Sequence, residues 1–422
     1  MRYVVIAKKI SLSEAEKLCR SIGATNITAM PITKQLYCDM SEEQATRLSS
    51  NDGIVVRQVS QYSAEITVPT ISPIQEVTYV GSFDLSPVFR QLQMVVTPPL
   101  DGFGTTVAVL DTGIRKTHNS LKDKIVYEYN ATEAPSTDDI FGHGTSVAYL
   151  IAGEDGERCG ISPGASIMNI KVLDDQGNGT DETVVAGIEQ VINLVGYARS
   201  NGKPQTDAMY PNVINLSLGK PDEGDPDDPV RVACRVAVNE YDLAVIAAAG
   251  NSGPAVSTIY SPACDQSVLA VGAVLTDQFS IWPNSSRGPT LEALTKPDIV
   301  CWGVGLEVAG NTSDDIYVNK SGTSFATPIM SGFNAIMWDV FRRLTSTQLM
   351  VRLKDIVEFM PAICSKPSDA PTGKDNTYGY GFPVLSSFVQ QFTTRQEPMS
   401  QLLQLLPMFL IIGMVPGIYE GG

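Results

Sequence analysis

The residues with the clearest chemical potential are an aspartate, a histidine and a serine, each at the junction of two predicted elements. Asp111 follows an apolar stretch, His143 lies between two glycines ahead of a helical pattern, and Ser324 precedes an apolar helical stretch. When a carboxylate orients an imidazole and that imidazole takes the proton of a hydroxyl, the hydroxyl becomes a nucleophile. The chemistry that this set would perform is acyl transfer.

Histidine is scarce in this sequence, since the chain holds only 2. An imidazole base that works near neutral pH would therefore have to be His118 or His143. His143 is flanked by Gly142 and Gly144, which permit the close approach of a substrate. His118 lies in a polar stretch and is predicted to be structural or exposed. His143 is thus the candidate general base.

A fourth polar residue, Asn251, follows the apolar stretch 244–249. Its amide can donate a hydrogen bond to an oxyanion without adding charge, and the unpaired N–H groups of a helix starting near Ser324 favour the same negative charge. Pro328 is expected in the first turn of that helix, where proline is tolerated. Taken singly, each of these polar residues could be a turn, core or capping residue. Their occurrence together favours catalysis over coincidence.

The elements that would position these residues form an alternating pattern from about residue 105 to 390. Near-continuous apolar strands separated by helices are typical of a mostly parallel sheet covered on both faces, which predicts a doubly wound α/β domain. The strands are predicted at 107–110, 167–173, 213–218, 244–249 and 268–274. In such folds ligands bind beyond the carboxyl ends of the strands, where Asp111 and Asn251 fall.

The first 60 residues follow a different pattern, with the order βαββαβ of a small ferredoxin-like α+β domain. Two capping boxes, Ser11 with Glu14 and Ser41 with Gln44, predict where its helices begin. The predicted organisation is a small domain at 1–79, a connector at 80–104, a catalytic domain at 105–392 and an apolar tail at 393–422. Packing of that tail against a partner subunit is favoured over membrane insertion because two prolines interrupt it.

Composition excludes several classes of function. The net charge of −16, from 46 acidic against 30 basic residues, argues against a nucleic-acid binder and suits a solvated surface. The 7 scattered cysteines show no zinc-ligand spacing and favour buried thiols over a disulfide framework.

The N-terminus is too polar for a secretory signal. We therefore expect a cytoplasmic or non-classically exported protein, attached through the tail to a larger assembly, with the compartment left open.

Three blocks of the sequence resemble the signature blocks of the subtilisin-like serine proteases, in that family's chain order of Asp, His and Ser. The blocks are Asp111-Thr112-Gly113, His143-Gly144-Thr145 and Gly322-Thr323-Ser324-Phe325-Ala326-Thr327-Pro328. The resemblance covers most of residues 105–390. It implies a serine endopeptidase in which Asp111 fixes the His143 tautomer and His143 takes the Ser324 proton. It also implies that Asn251 joins the backbone N–H of Ser324 in an oxyanion hole.

The resemblance also implies a substrate-binding surface and no required cofactor. The substrate-pairing edge and the primary specificity pocket would be formed by Ser217, Leu218, Gly219, Ala248, Ala249 and Gly250. These candidates include no carboxylate, so an apolar or broad preference is expected. Calcium often stabilises such enzymes, and oxygen ligands could come from Asp174, Asp175, Asp181 and the cluster 222–228. None of these matches a calcium loop, so solvated acidic turns are the preferred interpretation.

The N-terminal domain resembles the inhibitory propeptide of the family, which implies an intramolecular inhibitor that is cut away near Tyr79. The alternative is a ferredoxin-like domain with an unrelated binding role.

For the whole chain, the rival hypothesis is a subtilisin-like scaffold or assembly component without activity. Its signature would be a damaged triad, which is not seen. An esterase or lipase would carry a G-x-S-x-G elbow, whereas Ser324 is flanked by Thr323 and Phe325.

Overall fold

The computed structural model describes residues 1–64, 83–93, 99–156, 158–276, 280–344, 357 and 360–384. Among these residues, no helix combines the length and the apolar character needed to cross a membrane. The tail at 393–422 and Tyr79 lie outside the described residues.

The N-terminal residues have the predicted βαββαβ order. The elements are β1 (Arg2–Ala7), α1 (Leu12–Ser21), β2 (Thr25–Met30), β3 (Gln35–Asp39), α2 (Glu42–Ser49) and β4 (Ile54–Gln58). They form an antiparallel sheet in the order β2-β3-β1-β4. Both predicted capping boxes are present, with Ser11 and Ser41 as the caps. Strand β2 begins earlier than predicted because it is a largely exposed edge strand, so apolar periodicity does not mark its start.

After Arg2, strand β1 is apolar because both of its faces are covered. Successive side chains of a strand point to opposite faces. Val5 and Ala7 pack with helices α1 and α2 in a small separate core. Val4 and Ile6 belong to the large core of the molecule. The N-terminal sheet therefore lies between its own helices and the remainder of the chain.

A 7-stranded sheet in the order β17-β16-β14-β12-β6-β10-β7 organises that remainder, and its described pairs are parallel. Its strands, in chain order, are β6 (Thr106–Asp111), β7 (Ile125–Asn130), β10 (Ser166–Lys171), β12 (Val213–Leu216), β14 (Ala244–Ala248), β16 (Leu269–Val274) and β17 (Ile299–Trp302). The predicted strands correspond to β6, β10, β12, β14 and β16. The edge strands β7 and β17 were not predicted, because β7 is half-buried along its whole length and β17 has only 4 residues.

Four helices cover the faces of this sheet: α4 (His143–Ala152), α5 (Asp181–Ser200), α6 (Pro229–Tyr241) and α7 (Thr323–Leu344). Helices α4 and α7 pack on each other and on the sheet, and α5 packs with α6 as a second pair. The predicted subtilisin-like α/β architecture is confirmed. Short elements complete the structure: β5 (Gln61–Ser63), α3 (Ser86–Gln93), β8 (Glu154–Asp155), β9 (Arg158–Cys159), β11 (Asn178–Thr180), β13 (Lys220–Pro221), β15 (Tyr260–Ser261), β18 (Leu306–Ala309), β19 (Tyr317–Lys320), β20 (Cys364–Ser365) and β21 (Phe382–Pro383).

Candidate active site

Asp111 and His143 meet at the carboxyl edge of the sheet. Asp111 is the last residue of β6, and His143 is the first residue of α4. The Nδ1 atom of His143 lies 2.8 Å from Oδ1 of Asp111. A Cβ atom on Gly144 would lie only 2.2 Å from the carbonyl oxygen of Gly113, so glycine is needed for this close approach. The contact leaves Nε2 of the imidazole available for proton transfer.

The buried carboxylate of Asp139 fixes the loops on both sides of this pair. Its Oδ1 accepts hydrogen bonds from the Gly142 N–H at 2.7 Å and the Thr112 hydroxyl at 2.8 Å. Its Oδ2 accepts from the N–H and the hydroxyl of Thr145 at 2.8 and 2.6 Å. Asp139 thus ties the turn after β6 to the first turn of α4. Sequence reasoning missed this residue, although an aspartate just ahead of a predicted helix is a capping signal.

Lys171 supports the same turn from the neighbouring strand. It is the last residue of β10 and is fully buried. Its Nζ donates to the carbonyl of Thr112 and, at 3.2 Å, to the carbonyl of Asp138. It also forms an ion pair with Asp175 at 3.0 Å. The signal for this role was visible in the sequence as a lysine within an apolar predicted strand, because buried lysines are almost always paired.

Ser324 is the second residue of α7 and is 2% exposed. Its Oγ atom and Nε2 of His143 are both buried without a hydrogen-bond partner among the described residues, as is Oδ2 of Asp111. The ring of Phe325 packs against the imidazole with centroids 5.2 Å apart. The structure thus brings Asp111 and His143 into direct contact. It does not join the serine oxygen to the free imidazole nitrogen by a hydrogen bond, although the phenyl ring next to Ser324 packs on the imidazole.

Asn251 presents an amide N–H beside Ser324. Its Oδ1 accepts from the backbone N–H and the hydroxyl of Thr323 at 2.9 and 2.8 Å. This fixes the amide so that Nδ2 faces the space over Gly322. A Cβ atom on Gly322 would lie 3.3 Å from that nitrogen and 3.7 Å from the backbone nitrogen of Ser324. Two N–H donors therefore border one small space, an arrangement able to hold an oxyanion.

Helix α7 starts slightly earlier than predicted. Because Thr323 is its first residue, Pro328 falls in the second turn rather than the first. A proline there has no N–H to donate to the carbonyl of Ser324, four residues earlier.

Of the two alternatives predicted for His118, structural or exposed, the second is wrong, because this ring is fully buried. Its Nε2 lies 3.0 Å from the carbonyl oxygen of Ile316, so His118 is structural and not exposed.

The predicted substrate edge, Ser217 to Gly219, and the predicted pocket, Ala248 to Gly250, meet at the side chain of Tyr260. Leu218, Ala248 and Ala249 are fully buried, and Ser217 is buried beside them. Tyr260 packs between the two predicted stretches: a Cβ atom on Gly219 would lie 3.2 Å from its Cβ, and one on Gly250 would lie 2.7 Å from its Cδ1. The Tyr260 hydroxyl lies 2.8 Å from the Ser252 hydroxyl. Sequence reasoning did not identify this ring, since nothing local marks it as a pocket residue.

An extended segment of the same chain lies along the predicted substrate edge. Strand β5 pairs antiparallel with β11, and Ser63 forms an antiparallel bridge with Gly219. The N–H of Ala64 donates to the carbonyl of Gly177 at 3.0 Å. At Gly219 the predicted edge is therefore bridged by Ser63, a residue from the N-terminal part of the chain.

Charged contacts hold the N-terminal sheet on helices α5 and α6. Basic side chains of the sheet meet acidic ones around the starts of these helices. The ion pairs are Arg2 with Glu182, Lys8 with Asp227 and Arg57 with Asp225. The N–H and hydroxyl of Thr33 donate to Glu189 at 2.7 and 2.8 Å, and burial raises the pKa of that carboxyl. Some acidic residues of the chain thus form ion pairs with basic side chains of its own N-terminal domain.

The acidic residues considered for calcium are engaged in other contacts. Asp174 accepts the N–H groups of Gln176 and Asn178, both at 2.9 Å. Asp181 pairs with Lys220 at 2.8 Å. Within the part of the chain that the structure describes, no group of three or more His, Cys, Asp or Glu side chains could hold a metal ion. All seven cysteines are free, and six of them are buried.

Comparison with known proteins assigns the family. Residues 102–381 match the Subtilase family. Serine protease AprX of Bacillus subtilis (strain 168) is 33% identical over 282 residues, which cover 61% of this chain and 62% of AprX. M-protease of Shouchella clausii (strain KSM-K16) is 33% identical over 322 residues, 74% of this chain and 72% of that protein.

Among solved structures, sphericase superposes with a TM-score of 0.57 at 26% identity, over 67% of this chain and 92% of that chain. The chain spans less than two thirds of the length of AprX, at 62%. The match to the Subtilase family includes Asp111, His143, Asn251 and Ser324. On the extent of these matches, the chain belongs to the subtilase family of serine proteases.

Proposed function

We propose that this chain is an active serine endopeptidase with Ser324 as nucleophile, His143 as general base and Asp111 as the orienting carboxylate. The observation that carries the proposal is the 2.8 Å contact between Asp111 Oδ1 and His143 Nδ1. It is joined by two buried and unpaired atoms, Nε2 of His143 and Oγ of Ser324. Relatives that are themselves named as proteases support the same activity.

The reaction follows from these positions. Nε2 of His143 takes the proton of Ser324 as Oγ bonds to the scissile carbonyl carbon. The oxyanion that forms accepts hydrogen bonds from Nδ2 of Asn251 and the N–H of Ser324. The C–N bond then breaks, and His143 gives its proton to the leaving amine. A water molecule repeats the sequence on the acyl-enzyme, which releases the carboxylic acid product and restores the Ser324 hydroxyl.

The substrates are proteins or peptides bound as an extended strand. Strand β11 and the stretch Ser217 to Gly219 supply backbone hydrogen-bonding groups on either side, as they do for β5. Ala248, Ala249 and Gly250 line the primary pocket and carry no charge, which favours an apolar or broad preference there. The chemistry itself needs only protein groups, so no cofactor is required.

The N-terminal domain acts as an intramolecular inhibitor and is removed by the enzyme itself. This proposal is supported by β5, which occupies the substrate edge and connects directly to the N-terminal sheet. Strand β5 ends at Ser63, and the predicted cut at Tyr79 lies on its carboxyl side. The partner of the tail at 393–422 stays a prediction, as does the compartment.

A fluorophosphonate probe tests the proposed activity directly, because it forms a covalent bond only with an activated serine. We expect labelling of the processed wild-type protein and no labelling of Ser324→Ala. If a well-folded, fully processed wild-type protein is not labelled, the scaffold hypothesis is supported instead.

Loss of the Asn251 amide should slow the chemical step without weakening substrate binding. We expect Asn251→Ala to lower kcat by about 10²- to 10³-fold, the effect of removing one oxyanion donor, with KM changed only a few-fold. Steady-state kinetics on a fluorogenic peptide measures both constants. Thr323→Val is the matched control, since it removes one donor to Asn251 Oδ1 at 2.8 Å and leaves Nδ2 in place. A raised KM with unchanged kcat would contradict the assignment.

Docking of the N-terminal domain should weaken as the pH rises. Asp181 lies against the domain, accepting the Ser60 N–H at 2.6 Å, and faces Lys220 and Asp228. Burial raises its pKa from 3.8 to about 6. Burial also raises the pKa of Glu189. A raised pKa means that the docked state binds protons more tightly, so this stabilisation is present at low pH and is lost as the pH rises through about 6.

Hydrogen exchange of residues 60–64 in full-length Ser324→Ala measures this docking without proteolysis. After correction for intrinsic rates, we expect protection to fall roughly tenfold between about pH 5 and about pH 8. Asp181→Asn combined with Glu189→Gln should flatten the profile. Asp225→Asn is the control: burial alone would raise the pKa of Asp225, but hydrogen bonds from Arg57 and the Asp227 N–H, together with the charges of Arg57 and Arg231, outweigh it and hold that pKa low, below the tested range. Protection that increases with pH would refute the prediction.

A further inference from the structure

The side chain of Tyr62 fills a charged pocket on the catalytic body of the protein. We propose that this pocket, formed by Lys220, Asp228 and Ser261, is a substrate subsite that selects tyrosine. The proposal rests on the proposed endopeptidase function and names one feature of its substrates: a tyrosine in the stretch that pairs with β11, on the amino side of the cut.

Strand β5 shows how an extended peptide presents a side chain to this pocket. The strand lies between β11 on one side and Gly219 on the other. Alternate residues of a strand point to opposite sides. Gln61 is accordingly exposed, whereas Tyr62, which pairs with Gly179, is only 1% exposed. Any substrate that replaces β5 in the same register must place one side chain where Tyr62 now lies.

The pocket has a cation held over the tyrosine ring. Nζ of Lys220 lies 4.9 Å from the ring centroid of Tyr62, within the range of a cation–π interaction. The ammonium is fixed by ion pairs with Asp181 at 2.8 Å and Asp228 at 2.7 Å. Burial opposes its charge, but the two carboxylates prevail and raise the pKa of Lys220. A ring bound here therefore faces a charged and immobile lysine.

Polar atoms surround the phenol oxygen at the end of the ring. The hydroxyl of Tyr62 lies 3.5 Å from Oδ1 of Asp228 and 3.5 Å from the hydroxyl of Ser261. Phenylalanine would remove the partner of the buried Ser261 hydroxyl and one of the donors that face Asp228 Oδ1, and a buried polar group that loses its partner is costly. Leucine would lose the cation–π contact as well. The combination of a ring site and a hydroxyl site is specific to tyrosine.

The pocket belongs to the catalytic body, so it persists after the N-terminal domain leaves. Asp181, Lys220, Asp228 and Ser261 all lie within the region that matches the Subtilase family. Lys220 and Ser261 face each other as Cα partners in the two-stranded sheet of β13 and β15. Asp228 is held at the start of α6, where its Oδ1 accepts the N–H groups of two helix residues. These contacts keep the pocket walls in place without help from β5.

Cleavage of matched peptides tests the subsite. The protein used is the enzyme processed from the full-length chain. A set of internally quenched peptides carries a single tyrosine moved through the positions on the amino side of the cut. At one position we expect Tyr→Phe to lower kcat/KM about tenfold, as for the loss of one hydrogen bond to a charged group, and Tyr→Leu to lower it further. We expect Lys220→Met to lower kcat/KM more for the tyrosine peptide than for the matched phenylalanine and leucine peptides, so that the discrimination between them falls.

A second measurement does not depend on catalysis. In the full-length Ser324→Ala protein, we expect Tyr62→Ala to increase hydrogen exchange of residues 60–64 at least roughly tenfold, and Tyr62→Phe to increase it less. Gln61→Ala is the matched control, because this neighbouring side chain is exposed on the same strand. Unchanged exchange in Tyr62→Ala, or equal kcat/KM for Tyr, Phe and Leu at every position of an active enzyme, overturns the subsite. A processed enzyme that neither cleaves peptides nor takes up the fluorophosphonate overturns the proposed function itself.

Discussion

Replacing Ser324 by alanine is expected to lower kcat for peptide hydrolysis by about 10⁶-fold, a magnitude established for subtilisin and carried over here through family membership. Without Oγ no acyl-enzyme can form, and only the oxyanion donors and substrate binding remain to assist a water molecule. His143→Ala should cost about as much, because an unassisted hydroxyl is a weak nucleophile. Steady-state kinetics on a fluorogenic peptide measures each variant.

The double variant of Ser324 and His143 distinguishes a catalytic unit from two independent contributions. We expect it to be no slower than either single variant, since residues that act as one unit are not additive. Ser321→Ala is the matched control three residues away: its hydroxyl accepts only a structural hydrogen bond, from the Gly305 N–H at 2.9 Å. Activity of Ser324→Ala within tenfold of wild type would refute the nucleophile assignment.

The same serine variant reports on self-processing. Mass spectrometry of the purified full-length proteins should show loss of the N-terminal residues from wild type and an intact chain for Ser324→Ala. The new N-terminus also locates the cut relative to Ala64 and Tyr79. An intact N-terminus in both proteins would refute autoprocessing while leaving the peptidase activity to the kinetic test.

Asp111→Asn is expected to lower kcat by about 10⁴-fold, although its shape is almost unchanged. In the wild type, Oδ1 of Asp111 lies 2.8 Å from His143 Nδ1, so the carboxylate accepts the ring proton at Nδ1 and leaves Nε2 as the acceptor. The same oxygen accepts the Thr112 N–H at 2.8 Å, which orients the carboxylate. An amide can face Nδ1 with its NH₂ group only by giving up the Thr112 bond, and the tautomer then places the proton on Nε2, which can no longer accept the serine proton. In the other orientation the amide oxygen faces Nδ1, but the negative charge that stabilises the protonated imidazole is absent.

The expected signature is a fall in kcat with KM changed only a few-fold, measured together with the pH dependence of kcat. Asp138→Asn is the matched control, because this residue lies near Gly113 in the fold, its carboxylate is exposed, and its Oδ2 accepts the Ser136 hydroxyl at 3.2 Å. The control should retain wild-type kinetics. An Asp111→Asn enzyme with wild-type kcat and a raised KM would show that Asp111 acts in binding and would end its assignment as orienting residue.

Much of the fold could be predicted because its signals are local. Strands buried on both faces appear as apolar runs, and helix starts carry capping residues such as Ser11 and Ser41. The edge strand Ile125–Asn130 escaped prediction because half-burial along its whole length produces neither an apolar run nor an alternation. His118 was misjudged for a related reason: its neighbours in sequence are polar, but its ring is fully buried and packs edge-on against Tyr317.

The supporting residues of the site could not be assigned from the sequence. Asp139 and Lys171 act through hydrogen bonds to loops that only the folded chain brings together. Tyr260 marks the pocket only because Gly219 and Gly250, distant in sequence, lie on either side of it. Such roles depend on relative placement of elements, and no local pattern encodes that placement.

By itself the sequence determined the family, the chain order of the reactive residues and the alternation that builds a parallel sheet, because these are written in residue type and short-range spacing. Only the tertiary structure decided that Gln61–Ser63 pairs with Asn178–Thr180 and that the Tyr62 ring lies beneath Lys220. Pairing between strands far apart in the chain depends on which edge is left open after the sheets have packed. That property belongs to the whole fold and not to any segment of it.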